Sequence, residues 1–364
     1  MYLNTDQPLK VIEQIQTTFT NQTMVISVAE ASSIDLFELI SELNKAGIQY
    51  IGGIFPKVIS NNKVYNEGII LSGFSNVKHT FLVTELDRID FEIEHFELEG
   101  PNQFLFTFAD GLTKNLSLYL DRLYNNYGGS LAYFGAGTGS LTLQQIPSIF
   151  NKDGIFQDAA VGLISSSDIA LGVKHGWKKV SGPFIVTKAD QNLVKQINWQ
   201  KAFEVYQTII KQHSEKEITA ENFFEISKAY PFGILKDSSE YVVRDPIDVN
   251  ENGDLICIGE VIENTVVDIL NGDAETLINA ATEAAKEVLG KITSPKHAYV
   301  SDCISRVLFL EEEYEKELLA ISEQINSKDN PIPIEGALSI GEISSFGDGY
   351  LQLFNKTVII GLFN

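Results

Sequence analysis

After Pro8 the apolar residues Leu9, Ile12, Ile15 and Phe19 recur every three to four positions, which predicts an opening helix. Residues 23–29 form a short apolar run and predict a strand. Leu36, Phe37, Ile40 and Leu43 mark a second helix, capped by Ser32 or Ser33 and ended by Gly47. Strands are predicted at 50–54 and, past an Asn61-Asn62 turn, at 64–74. Three more follow at 80–86, 91–98 and 103–108. Residues 112–127 read as a helix with Leu116, Leu120 and Leu123 on one face. A strand over 130–134 then runs into Gly135-Ala136-Gly137-Thr138-Gly139. Residues 156–165, 169–175 and 182–187 are strand-like, with Asp153-Gly154 as a turn.

Beyond Asn192 the pattern shifts towards helices, predicted over 199–213, 221–228, 274–289 and 311–325. Residues 241–249 and 255–261 form a hairpin around Asn252-Gly253. Further strands are expected at 297–301, 337–342, 350–354 and 358–363, with a proline-containing loop over 329–333. One plan recurs at 33–74, 112–165 and 311–363: a helix, a strand, a glycine-containing turn and a pair of return strands. Internal duplication and ordinary helix–hairpin alternation account for it equally well. The fold class expected is α+β, with mixed, largely antiparallel sheets covered by helices. Two domains are expected, residues 1–192 and 193–364, without a flexible linker between them.

Composition narrows the function. The 364 residues carry a formal net charge of −22, which repels phosphate backbones and anionic membrane surfaces. Neither nucleic acid nor membrane is expected as a partner. Two cysteines, Cys257 and Cys303, cannot form a disulfide framework and suit a reducing compartment. No basic segment precedes an apolar run near the start, and no apolar run reaches the ~18 residues a membrane span needs. A cytoplasmic location is expected. Arginine is scarce, with Arg88, Arg122, Arg244 and Arg306 the whole complement, so each is a candidate for planar, two-pronged binding.

Most catalytic motifs fail. The five histidines are scattered without metal-ligand spacing. The Gly135–Gly139 stretch follows a strand as a nucleotide loop does, but lacks GxGxxG spacing, and Pro147 falls where a helix would run. It reads better as a tight turn where backbones approach closely. No GxSxG elbow exists. The polar residues that end apolar strands in the last third stand out: Arg244, then Ser301, Cys303 and Arg306, then Glu342. Polar groups at strand ends are where α/β folds bind ligands. The alternative for Arg306 is an ion pair with Glu342.

These residues resemble the FIST family. Ser301 to Arg306, the glutamates from Glu311, the Gly336 to Ile343 strand, Asn355-Lys356-Thr357 and Val243 to Pro246 are similar to the C-terminal FIST domain. Gly135–Gly139, Asp153-Gly154 and His175-Gly176-Trp177 are similar to the N-terminal one. Ser305 stands where the family has glycine, and Phe354 where it has histidine. The resemblance implies a non-catalytic sensory module that binds an amino acid or small carboxylate, with no cofactor, and signals through a separate partner such as a histidine kinase. The ligand-binding residues so implied are Arg244, Ser301, Cys303, Arg306 and Glu342, with Gly135 and Gly137. Some members resemble haem-binding nitric-oxide sensors, and His175 would hold the haem in that alternative. An enzyme with Cys303 as nucleophile is the reading from another class.

Overall fold

The computed structural model describes residues 1–98, 100, 102–235, 241–326, 331–346 and 350–364. The loop expected at 329–333 lies partly outside them. Among the described residues there are three six-stranded sheets and one seven-stranded sheet, in a mixed α+β architecture.

Three stretches share one topology. In the first, strand Thr23–Ala29 leads through helix Leu36–Lys45 to the parallel strand Tyr50–Phe55, and Ile69–Phe74 returns antiparallel to Thr23–Ala29. The second repeats this with Gln103–Asp110, helix Leu116–Tyr127, Leu131–Thr138 and Ala160–Ser165. The third does so with His297–Cys303, helix Tyr314–Ile325, Ile334–Ser339 and Val358–Phe363. These are the three repeats visible in the sequence.

Each unit also has a hairpin, and none keeps it. The first unit's hairpin, Lys57–Ser60 with Lys63–Tyr65, pairs with Ile334–Ser339 of the third. The second unit's, Ile149–Asn151 with Gly154–Phe156, pairs with Tyr50–Phe55 of the first. The third unit's, Glu342–Phe346 with Tyr350–Phe354, pairs with Leu131–Thr138 of the second. The exchange closes a ring. Its centre is aromatic: Phe106 packs edge-on against Tyr299 at 5.4 Å and Phe134 against Phe363 at 5.7 Å. Tyr299 also meets Ser27 of the first unit, hydroxyl to hydroxyl, at 2.6 Å. The fourth sheet is antiparallel throughout, with helix Ala202–Ser214 laying Tyr206 against Phe232.

Several sequence expectations change. The Gly135–Gly139 stretch is largely strand, since Leu131–Thr138 runs straight through it. The close approach expected there is real: a Cβ on Gly135 would lie 2.1 Å from the Thr107 carbonyl oxygen, and one on Gly137 2.2 Å from that of Ile340. Residues 91–98 form no strand; Phe91 instead packs beneath the Arg122 guanidinium and Phe96 stacks on His79. The single strand expected over 64–74 is broken at Gly68, φ +103°, because its halves belong to different sheets. Asp35 caps the second helix, receiving the Phe37 and Glu38 N–H groups, while Ser32 bonds Gly68. Among the described residues no helix is long and apolar enough to cross a membrane.

Candidate functional site

The parallel strands His297–Cys303 and Ile334–Ser339 end together, with Cys303 opposite Ser339. Past Ser339, Gly341 at φ +97° reverses the chain and brings Glu342 back over the strand ends. Ser339 Oγ donates to Glu342 Oε1 at 2.6 Å, and the Thr357 N–H donates to Oε2 at 3.3 Å. The Cys303 thiol adds a further hydrogen bond to this carboxyl. Burial raises the Glu342 carboxyl from the usual 4.5 to about 8. Burial, with Glu342 beside it, pushes the Cys303 thiol well above its ordinary value. That direction opposes thiolate formation and so opposes the nucleophile reading.

Arg306 does not pair with Glu342. It is fully buried, and Glu317 grips its fork from Nε and Nη2. Nη1 donates to the carbonyls of His175 at 2.6 Å and Lys356 at 3.3 Å, and Nη2 also donates to that of Leu277 at 3.1 Å. A guanidinium has five N–H groups, and each has a protein partner here. Arg306 therefore ties together the Glu317 helix, the His175 turn and the Lys356 turn, and offers a ligand nothing. Glu317 and Asp302, not Glu342, are its counter-ions: the helix Tyr314–Ile325 lays the Glu317 carboxylate across the fork, and Asp302 Oδ1 lies 3.4 Å from Nε.

Arg244 differs. It is 7% exposed, in strand Tyr241–Val249. Its Nε donates to the Glu260 carbonyl at 2.9 Å, and Nη1 to those of Val243 at 2.9 Å and Leu353 at 3.0 Å. All three acceptors are neutral backbone oxygens. Among the described residues no carboxylate pairs with it, and burial lowers its pKa to about 10. Next to it is the turn Asn355-Lys356-Thr357, buried although it is a polar link between two strands. Lys356 Nζ reaches Asp245 at 3.1 Å and the Lys228 carbonyl at 2.9 Å, and Ser305 Oγ donates to the same Asp245 carboxylate. Asn355, 1% exposed, has a partner for neither Nδ2 nor Oδ1 of its side-chain amide.

Asn355 lines an apolar cavity of about 50 Å³, together with Cys303, Ser305, Gly341, Ile258 and Ile340. Leu141 and Leu143, from the second unit, form part of its wall. A wider groove of about 500 Å³ shares Ile258 and Ile340 with it. Gly259, at φ +81°, lines that groove: a Cβ there would be 3.1 Å from both Arg244 Nε and Asn355 Oδ1.

The remaining sequence candidates are placed as follows. Ser301 is in mid-strand, its hydroxyl buried without a partner. Gly135 sits against Thr107, away from the cavity lining. Gly137 exchanges backbone hydrogen bonds with Gly341 at 2.7 Å and Ile340 at 2.8 Å, and so holds the turn that lines the cavity. His175 accepts the Trp177 N–H on Nδ1 at 2.9 Å, and its carbonyl serves Arg306. Asn355 was not among the candidates. Its signal was the Asn355-Lys356-Thr357 likeness to the C-terminal FIST domain, although a polar turn in sequence otherwise looks like any exposed link. Among the described residues no cluster of three or more His, Cys, Asp or Glu is arranged to hold a metal.

Compared with known families, residues 9–200 match the FIST N domain and residues 202–345 the FIST C domain. The chain belongs to the FIST family. No curated protein matches it. FIST domains are sensory, signal-transduction domains rather than catalytic ones. The FIST C match ends at 345, so this FIST chain carries Asn355, Lys356 and Thr357 beyond it.

Proposed function

We propose that this FIST protein senses a small carboxylate, an amino acid foremost, in the cytoplasm and passes the signal to a separate partner such as a histidine kinase. The ligand is held at the strand-end site, where Arg244 and Asn355 recognise it. One observation carries this reading: among the described residues Arg244 is a deeply buried cation bonded only to neutral carbonyls, with an unpaired amide beside it. A buried charge without a counter-charge is costly, and a bound carboxylate supplies that charge through charge-assisted hydrogen bonds. Cys303 lines the cavity beside Asn355.

The test is a binding screen of amino acids and small carboxylates against the whole chain, read by calorimetry. At least one should bind. Arg244→Ala should weaken it at least about tenfold, since a hydrogen bond to a charged group contributes roughly 1.5–3 kcal/mol. A folded Arg244→Ala protein that binds as tightly as its parent would refute the site.

A further inference from the structure

We infer that a groove in the first unit, where its two parallel strands begin, binds a neutral polyhydroxylated ligand of the size of a monosaccharide or cyclitol. The groove shares no residue with the cavity at Asn355, so the inference goes beyond the carboxylate reading and does not rest on it.

The groove has a volume of about 480 Å³, within the range of small-molecule sites. It lies between the loop after helix Pro8–Thr18, the loop after helix Leu36–Lys45 and the turn after strand Ile69–Phe74. Charged residues make up 21% of the chain, yet none of the described residues lining the groove is charged. An ionic group on a ligand would lose water there without gaining a counter-charge. The lining offers amides instead: Gln16, Asn21, Gln22, Gln49 and Asn76. An amide carries donors and acceptors and no charge, and so matches a hydroxyl, which is also both.

Three of these amides are held at one end and open at the other. Gln22 Nε2 donates to Ser75 Oγ at 3.3 Å, and Asn76 Nδ2 to Ser167 Oγ at 3.3 Å. Gln49 Oε1 accepts from Thr23 Oγ1 at 3.4 Å. Among the described residues nothing bonds Gln22 Oε1, Asn76 Oδ1 or Gln49 Nε2. Gly73 lets the Gln22 amide and the Phe19 ring lie close against the strand, since a Cβ there would run into both. The open atoms come from three separate connections, so they meet a ligand from several sides. A base presents its polar atoms along an edge, whereas a sugar or cyclitol carries hydroxyls round the whole ring. Phe19, Ile48 and Val77, each half-buried, supply apolar surface for the ring C–H groups.

The test is a titration of the whole chain, isotope-labelled at asparagine and glutamine, with D-glucose, D-galactose, D-mannose and myo-inositol, read by NMR. At least one should bind saturably and shift the side-chain amide signals of Gln22, Gln49 and Asn76. D-gluconate, a charged polyol, and adenine, a base without hydroxyls, should bind there at least about tenfold more weakly. Gln22→Ala combined with Asn76→Ala should weaken the sugar at least about tenfold, because two hydrogen bonds are lost. Gln49→Ala, at an exposed side chain, makes the same test if the double variant does not fold. Binding of none of the four, binding that leaves the three amides unmoved, or unchanged affinity in the variants would overturn the inference, whatever acids do at Arg244. So would tighter binding of gluconate or adenine.

Discussion

Arg244 and Arg306 look alike in the sequence, each a rare arginine after an apolar run, and both are buried; their partners separate them, neutral carbonyls for Arg244 and carboxylates for Arg306. All the donors of Arg306 are satisfied inside the protein, so its loss should be read in stability. Arg306→Ala leaves Glu317 and Asp302 buried without their cation and should cost roughly 3–5 kcal/mol in urea unfolding. A variant as stable as the parent would show that the cluster is not built on that arginine. Glu342 gives a pH prediction. Its folded pKa of about 8 exceeds the usual 4.5, so between these values the folded state keeps a proton that the unfolded state has released. Stability should therefore fall as pH rises through that window and level off above about 8. Asp245 and Asp302, also raised by burial, act in the same direction. Glu342→Gln, which mimics the protonated acid, should lose less stability across the window than the parent. Parallel losses in the two proteins would contradict the assignment.

At the scale of elements, legibility followed burial. Helix Ala274–Leu289 was readable because its alanine-rich face and Asp273 cap are local signals. The hairpin around Asn252-Gly253 was readable because Gly253 takes φ +80°. Residues 91–98 misled because alternating apolar and acidic residues satisfy the strand pattern, whereas among the described residues the segment pairs with no strand and packs by its side chains, Phe96 against His79 and Phe81. The glycine stretch misled in the opposite sense. Gly135 and Gly137 are needed for close strand packing, not for a turn, and Gly137 clamps the Ile340–Gly341 reversal. Gly137→Ala should therefore destabilise the protein and weaken ligand binding together, because its Cβ would be driven into the Ile340 carbonyl. An alanine variant with unchanged unfolding and unchanged binding would show that the clamp does not matter. The site itself was half legible. Its strand ends were visible, whereas the buried turn at Asn355 and the pairing of Arg306 with Glu317 depend on contacts between distant segments.

For the whole molecule, the exchanged hairpins decide how ligand binding is felt. Strands 57–60 and 169–174 share a sheet with His297–Cys303 and Val358–Phe363, and Glu342–Phe346 extends the sheet of Gln103–Asp110. The cavity at the end of the third unit is walled by Leu141 and Leu143 of the second. We propose that the FIST N and FIST C segments unfold as one unit and that the ligand shifts this whole unit, whatever division residue 192 makes in the sequence. Scanning calorimetry of the full chain with and without an acid found to bind in the screen, repeated on Arg244→Ala, tests this most directly. The account predicts one transition that moves up as a whole with ligand, by about 2.7 kcal/mol at a hundredfold excess over Kd, and no such shift in the variant. Two separate transitions with only one responding, or an equal shift in Arg244→Ala, would contradict it.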